Sequence, residues 1–196
     1  MRFERNGLDF APGQHLIVGL PGSSQYREYS VYSGIHEHKL EILVRRVIDG
    51  NISLRLKECR PGQYVFIKGS KGNLVLRSEE IEQEKHCFIA TGTGIAPFHS
   101  FVRSYPGLDY FLLHGVRYST ETYDRSSYDP ERYVACTSRD RQGDYFGRVT
   151  DYLRGTEPDR DRIYHVVGNG KMIYEVYEIL RQKGIERGRI RSEVYF

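Results

Sequence analysis

Gly92-Thr93-Gly94-Ile95-Ala96-Pro97 is the stretch of this sequence best suited to chemistry. Four apolar or small residues, Cys87 to Ala90, run into it, and apolar positions at helical spacing follow from Phe98. The pattern reads as strand, tight turn, helix. A turn of that kind aims unpaired backbone N–H groups and the positive end of a helix at one point, and its glycines let a phosphate approach with no Cβ in the way. Thr91, Gly92, Thr93, Gly94 and Pro97 are therefore candidates for holding a pyrophosphate. The third glycine of the dinucleotide fingerprint is absent, and the same six residues also fit a turn that needs glycine for geometry alone.

Three further groups of residues have spacing that fits a ligand. In Arg27-Glu28-Tyr29-Ser30 the side chains two apart share one face of a strand, so Arg27 and Tyr29 project together and Ser30 turns away. A guanidinium beside an aromatic plane suits a flat ring carrying a phosphate, and it also fits an exposed cross-strand pair. In Asp49-Gly50-Asn51-Ile52-Ser53, Ser53 is placed to cap a helix over residues 54–59. The backbone N–H groups of Ile52 and Ser53 would then form a second anion site. Thr137-Ser138-Arg139-Asp140 follows an apolar run. A hydroxyl beside an arginine at a strand end suits a phosphate dianion, which favours NADP over NAD. Arg117 and Arg148 are placed to complete that cluster.

The elements needed to position these residues fall into two halves. Residues 14–20, 26–33, 39–48 and 63–67 alternate or run apolar between Pro-Gly turns, which predicts a small antiparallel β domain, a barrel, over residues 1–79. After a charged linker at residues 78–85 the rhythm changes. Strands over 86–90, 109–115, 132–137 and 163–167 alternate with helices over 97–104, 147–154 and 171–183, and a last strand covers 190–196. That alternation predicts a doubly wound parallel α/β domain over residues 80–196 whose ligands bind at the carboxyl ends of its strands.

Arg27-x-Tyr29-Ser30, Gly50-x-x-Ser53 and Gly92-Thr93-Gly94-Ile95-Ala96-Pro97, in that order, resemble the ferredoxin–NADP reductase family across nearly the whole chain. The resemblance implies an FAD-binding antiparallel barrel followed by an NADP-binding α/β domain. It implies that Tyr29 stacks on the isoalloxazine, that Ser30 hydrogen-bonds near flavin N5, that Arg27 holds the FAD phosphates, and that arginines surround the 2′-phosphate of NADP(H). Val167-Gly168-Asn169-Gly170-Lys171-Met172 is similar to the family's Cys-Gly-x-x-x-Met segment near the nicotinamide, with Gly168 as the positioning residue and valine in place of the cysteine. The ending Glu193-Val194-Tyr195-Phe196 resembles the family's near-terminal aromatic, which covers the flavin. Tyr195 matches it and Phe196 is an extra residue, while Glu193 is assigned to proton relay or partner contact.

The implied activity is FAD-dependent electron transfer between NADPH and a one-electron carrier, with the two rings meeting between the halves. The expected partner is an acidic ferredoxin or flavodoxin docking on Arg45, Arg46, Lys68 and Lys71. A reductase feeding an oxygenase, or a flavin-binding relay subunit without nicotinamide chemistry, is the alternative. One departure lies at the start, where residues 1–4 read as the tail of a strand without the family's earlier one, leaving an unpaired edge.

Bulk composition narrows the classes. The 196 residues can hold two small domains, and 39% hydrophobic with 28% charged residues is ordinary for a folded globular chain. A net charge of +3 is too small to argue for nucleic acid. Three scattered cysteines argue against disulfides, a metal or an iron–sulfur cluster and point to a cytoplasmic setting. No leader and no membrane-spanning run is evident.

Overall fold

The computed structural model describes residues 1–45 and 51–195. Contacts divide the chain into two units: Met1–Leu76 with Ala96–Ser104, and Arg77–Ile95 with the residues from Tyr105 onward.

The first unit is built on alternation. In β2 (His15–Gly19) Leu16 and Val18 point inward, fully buried. β2 lies between β3 (Tyr26–Ser30) and, across a register shift, β5 (Phe66–Lys71), both antiparallel to it. β1 (Arg2–Glu4) pairs antiparallel with β4 (Lys39–Glu41), and a bridge between Val31 and Ile42 ties that pair to the end of β3. The strands thus follow one another as β1-β4-β3-β2-β5. Among the described residues no pairing joins β1 to β5 into a closed barrel. One side of β1 is covered by β4, so the opening residues are a strand with a partner.

Helix α1 (Asn51–Glu58) packs Ile52 and Leu56, four apart on one face, against Leu16, Val18, Leu20, Val31, Leu40 and Ile42. The strand expected over residues 39–48 is formed only at Lys39–Glu41, with 46–48 outside the described residues. The strand expected over 63–67 starts later, at Phe66. Pro61 and Gly62 are the central residues of a turn closed by the Gln63 N–H donating to the Arg60 carbonyl at 3.1 Å, and the chain becomes a strand only at Phe66.

The second unit carries a six-stranded, wholly parallel sheet in the order β11-β10-β6-β7-β8-β9. Its strands are β6 (Lys85–Thr91), β7 (Tyr110–Val116), β8 (Tyr133–Thr137), β9 (Tyr145–Phe146), β10 (Arg162–Gly168) and β11 (Ile190–Val194). Near-continuous apolar runs such as Cys87–Ala90 suit strands buried on both faces, the situation a parallel sheet imposes. The α-helices of this unit among the described residues are α2 (Ser78–Gln83), α4 (Val149–Gly155) and α5 (Gly170–Gln182). The Asn169 side chain caps α5 by accepting from the Met172 N–H at 3.0 Å, and Met172, Val176, Ile179 and Leu180 form the buried stripe of that helix.

Helix α3 (Ala96–Ser104) follows β6 in sequence but belongs by contact to the first unit. Phe98 and Phe101 are fully buried, and four polar groups bind the helix to the segment after β3. The His99 Nδ1–H donates to the Tyr32 carbonyl at 2.7 Å while the two rings stack 3.6 Å apart. The Ser100 hydroxyl donates to the Ser33 carbonyl at 2.7 Å, and the Ser104 hydroxyl accepts from the Ile35 N–H at 3.0 Å. Arg103 pairs with Glu37 and Glu41.

Residues 78–85 are not a linker, because most of them form α2. Glu80 is buried there and accepts from the Arg77 guanidinium (2.7 Å) and from both terminal nitrogens of Arg191 on β11 (2.5 and 3.0 Å). These bonds hold its carboxyl far below the usual carboxylate range, Arg191 contributing most.

Candidate functional site

Strand order runs outward from β6 through β7, β8 and β9 on one side and through β10 and β11 on the other. The direction of winding therefore reverses between β6 and β10, and at such a switch point a crevice opens at the carboxyl ends of the strands. The Gly92–Ile95 turn, a single 3-10 turn, closes β6 there. Gly92 takes φ +55°, a conformation that glycine adopts without strain. Gly94 has no room for a side chain: a Cβ would sit 2.7 Å from the Val167 carbonyl oxygen at the end of β10. Gly168, at φ +158°, is packed as closely, since its Cβ would run into Thr91 Oγ1. Pro97 stands second in α3, where a missing N–H costs nothing. The structure thus brings Thr91, Gly92, Thr93, Gly94, Val167 and Gly168 to one place. In the same unit the Tyr195 N–H donates to the Gly168 carbonyl at 2.7 Å, so the chain's end is anchored at this crevice, and Glu193 lies opposite Val167 in the parallel register. Phe196 lies outside the described residues.

The arginine cluster stands at the ends of β7 and β8. The N–H groups of Ser138 and Arg139 donate to the carbonyls of Val116 and Arg117 at 3.1 and 2.8 Å, which sets Arg117 beside Arg139. Arg117, Ser138, Arg139 and Arg148 are all exposed, and no ion pair engages these three arginines among the described residues. Neighbouring arginines are occupied: Arg125 pairs with Asp144 at 2.6 Å, and Arg154 pairs with Asp151 and Glu175. Asp140 makes no ion pair with the cluster among the described residues; its carboxylate accepts from the Ser119 N–H (2.8 Å) and hydroxyl (3.0 Å), bonds that lower it below the usual range.

In the first unit the register sets Arg27 opposite Val18 and Tyr29 opposite Leu16, on one face of β3. Burial raises the Tyr29 phenol, and the Arg27 charge acts on it in the opposite sense, so the two are electrostatic neighbours. Ser30 faces the other way, is 4% exposed, and its Oγ has no hydrogen-bond partner among the described residues. An unpartnered buried hydroxyl costs about 1–3 kcal/mol, so it marks a place where a ligand atom would be accepted. Helix α1 begins at Asn51, which puts Ser53 inside the first turn rather than at a cap before residue 54. Ile52 and Ser53 are buried and lie in the first turn of α1. Gly50 and Arg46 lie outside the described residues.

Two residues absent from the motifs support the cradle, His114 and Tyr133. His114, fully buried on β7, has Nε2 2.9 Å from the Gly92 carbonyl and Nδ1 2.8 Å from the Tyr133 hydroxyl. The sequence signal for it is a polar residue within an otherwise apolar strand, Phe111-Leu112-Leu113-His114.

Residues 2–76 match the family described as the oxidoreductase FAD-binding domain. A flavodoxin/ferredoxin–NADP reductase of Rhodobacter capsulatus is 25% identical over 92% of this chain and 78% of its own length. Over nearly its whole length the chain is similar in sequence to ferredoxin–NADP reductases. A probable dihydroorotate dehydrogenase B (NAD(+)) electron transfer subunit of Pyrococcus abyssi is 29% identical over 99% of this chain and 72% of its own. Among solved structures, a ferredoxin NADP+ reductase from Neisseria gonorrhoeae with bound FAD and NADP superposes with a TM-score of 0.83 at 21% identity, covering 100% of this chain and 91% of that one. At that identity the likeness speaks to the fold.

The residues present fit the flavin named by the matched domain and a pyridine nucleotide. Arg27 and Tyr29 put a cation and an aromatic on one face of β3, the unpartnered Ser30 hydroxyl follows on the other, and the glycine cradle at the β6–β10 switch point has the form that accepts a pyrophosphate.

Proposed function

We propose that the chain is an FAD-dependent oxidoreductase that takes electrons from NADPH and delivers them singly to a protein carrier. The observation that carries this reading is the joining, in one chain, of a matched FAD-binding domain to a parallel sheet whose switch point is built around Gly92, Gly94 and Gly168. FAD, when bound, supplies the conversion of a two-electron hydride into two one-electron transfers. The rest is binding and orientation.

Residues 1–79 serve the flavin and residues 80–196 the nucleotide. Arg27 and the N–H groups of Ile52 and Ser53, with Gly50, hold the flavin's phosphates. Tyr29 supplies a face for the ring, and Ser30 donates its hydroxyl to a ring nitrogen. Thr91 to Gly94, with Pro97 starting the helix, cradle the nucleotide pyrophosphate. Ser138 and Arg139, with Arg117 and Arg148, take the 2′-phosphate as a charge-assisted contact. Gly168 lets the nicotinamide end approach, Tyr195 or Phe196 shields the flavin until it does, and Glu193 handles a proton or the partner. The partner is an acidic ferredoxin or flavodoxin. No helix among the described residues is long and apolar enough to cross a membrane. Burial pushes the thiols of Cys87 and Cys136 up to about 12, so neither offers a reactive thiolate. We place the protein in the cytoplasm.

An anaerobic absorbance titration of the FAD-loaded chain tests this directly. Bleaching by NADPH in preference to NADH is the expected result. The match to an electron transfer subunit over 99% of the chain favours a second reading, a relay subunit serving a partner enzyme; that relative's name carries NAD(+), so the reading predicts bleaching by NADH in preference to NADPH.

A further inference from the structure

We propose that His114 is a positioning residue for the nucleotide cradle: its ring holds the Gly92 carbonyl and so keeps the turn's N–H groups aimed at the ligand. The inference rests on reading the Gly92–Ile95 turn as a nucleotide site. Donor and acceptor chemistry decides the ring's state. The Gly92 carbonyl can only accept, so the His114 nitrogen 2.9 Å away, Nε2, carries a proton. In the neutral ring Nδ1 is then an acceptor, and the Tyr133 hydroxyl 2.8 Å away donates to it. Full burial favours that neutral ring, bringing His114 down to about 4. Glu121, which acts on it in the opposite sense, does not reverse this.

Each partner is itself held. The Tyr133 ring is buried, stacks on Tyr128 at 5.1 Å with 15° between planes, and lies under the Arg125 guanidinium at 5.4 Å. The imidazole therefore has one orientation and one tautomer. Gly92 is a left-handed residue immediately after β6, the first of the turn. A peptide unit is planar, so fixing its carbonyl oxygen also fixes the N–H of Thr93 that the unit shares. The hydrogen bond from β7 thus sets the direction of the first donor of the turn. No titration is involved, because the ring stays neutral from about pH 5.5 upward.

Two substitutions separate positioning from bulk. A glutamine amide nitrogen reaches where His Nε2 stands, whereas an asparagine oxygen reaches only where Nδ1 stands. His114→Gln keeps the donor to Gly92 and loses the acceptor for Tyr133, and His114→Asn does the reverse. With the FAD-loaded full chain, KM for NADPH is expected to stay within about threefold for His114→Gln and to rise about tenfold for His114→Asn, with kcat little changed, as one lost hydrogen bond predicts. In the wild-type chain labelled with 15N-histidine, NMR is expected to show His114 as the Nε2–H tautomer. Equal KM changes in the two variants, no change in either, or an Nδ1–H tautomer would overturn the proposal. A wild-type chain that NADPH does not saturate would instead remove the nucleotide reading on which it rests.

Discussion

Mild acid is expected to destabilise this protein through its histidines before its carboxylates titrate. In the second unit the Glu80 carbonyl accepts from His86 Nε2–H at 3.1 Å, so His86 Nδ1 is an acceptor and takes its bond, also 3.1 Å, from His165 Nε2–H. His165 Nδ1 is left fully buried with no hydrogen-bond partner among the described residues. A proton added there would be a cation without a partner, close to Arg191. Burial, then His86 and Arg191, bring His165 down to about 3, and burial, against the opposing pull of the Gly92 carbonyl and Glu121, brings His114 down to about 4. His86 is lowered for the same first reason.

Below the ordinary value of 6.5 the unfolded chain binds protons that the folded chain refuses, so stability falls with falling pH; above it neither state binds them. At about pH 5 both folded values have yet to be reached. The loss there is set by the unfolded chain, about 1.5 pH units at 1.36 kcal/mol, or about 2 kcal/mol for each histidine. His114 and His165 together thus remove about 4 kcal/mol, a large share of a typical 5–15 kcal/mol. The carboxylates of Glu80, Asp140 and Asp144, lowered in the fold, keep their contribution until the unfolded carboxylates protonate near pH 4. Urea unfolding followed by tyrosine fluorescence at about pH 7.5 and about pH 5 should shift the midpoint by about 2 M for a slope near 2 kcal/mol per M. His165→Phe, set beside Phe88, should recover about half of that shift. A midpoint that does not move would refute the buried neutral histidines, and an equal shift in His165→Phe would locate the acid sensitivity elsewhere.

Arg139→Ala should raise KM for NADPH about tenfold or more and leave NADH within about twofold, because only the former carries the phosphate that this exposed, unpaired guanidinium would meet; equal changes in steady-state kinetics would remove Arg139 from the 2′-phosphate site. Gly94→Ala must fit a methyl 2.7 Å from the Val167 carbonyl, which costs about 1–3 kcal/mol of overpacking. Nucleotide titration should show weakened binding while the flavin spectrum is unchanged, and intact nucleotide affinity would mean that the turn does not form the cradle. Glu80→Leu leaves Arg191 facing an apolar side chain. With the Arg191 side chain still 32% exposed, the loss is about 2–3 kcal/mol rather than the full cost of a broken buried pair. It should appear as a fall in Tm of about 5–10 °C, and an unchanged Tm would mean that the clamp on α2 contributes nothing.

What the sequence discloses is whatever is written in near neighbours. The parallel strands announce themselves because burial on both faces demands unbroken apolar runs, and α5 because its apolar residues repeat at helical spacing. Helix α2 has no such signal. Ser78-Glu79-Glu80-Ile81-Glu82-Gln83 reads as solvated charge until Arg191, 111 residues later, makes the burial of Glu80 tolerable. β9 is two residues long and exists through its pairing with Cys136 and Thr137. Antiparallel closure is illegible for the same reason: alternation shows that strands exist, while pairing at β1 and β5 is decided between segments far apart in the chain.

The candidate site divides along the same line. Residue types within each motif were readable, Arg27 and Tyr29 sharing a face because a strand has period two. The dependence of one motif on another was not. Gly94 and Gly168 belong to separate segments, yet each is a glycine because of the other's neighbour, Gly94 through the Val167 carbonyl and Gly168 through the Thr91 hydroxyl. Val167 is governed by the same contact. Where the resembling family has a cysteine, this chain buries a valine completely, and the atom that approaches Gly94 most closely is its backbone oxygen. That contact is available to any residue at position 167, so the loss of a thiol there leaves the close approach of β10 to the glycine turn intact. What position 167 does select is volume, since Val167 Cγ1 would stand 3.3 Å from a Cβ at Gly94, and a larger side chain would press on the turn whose N–H groups the nucleotide needs.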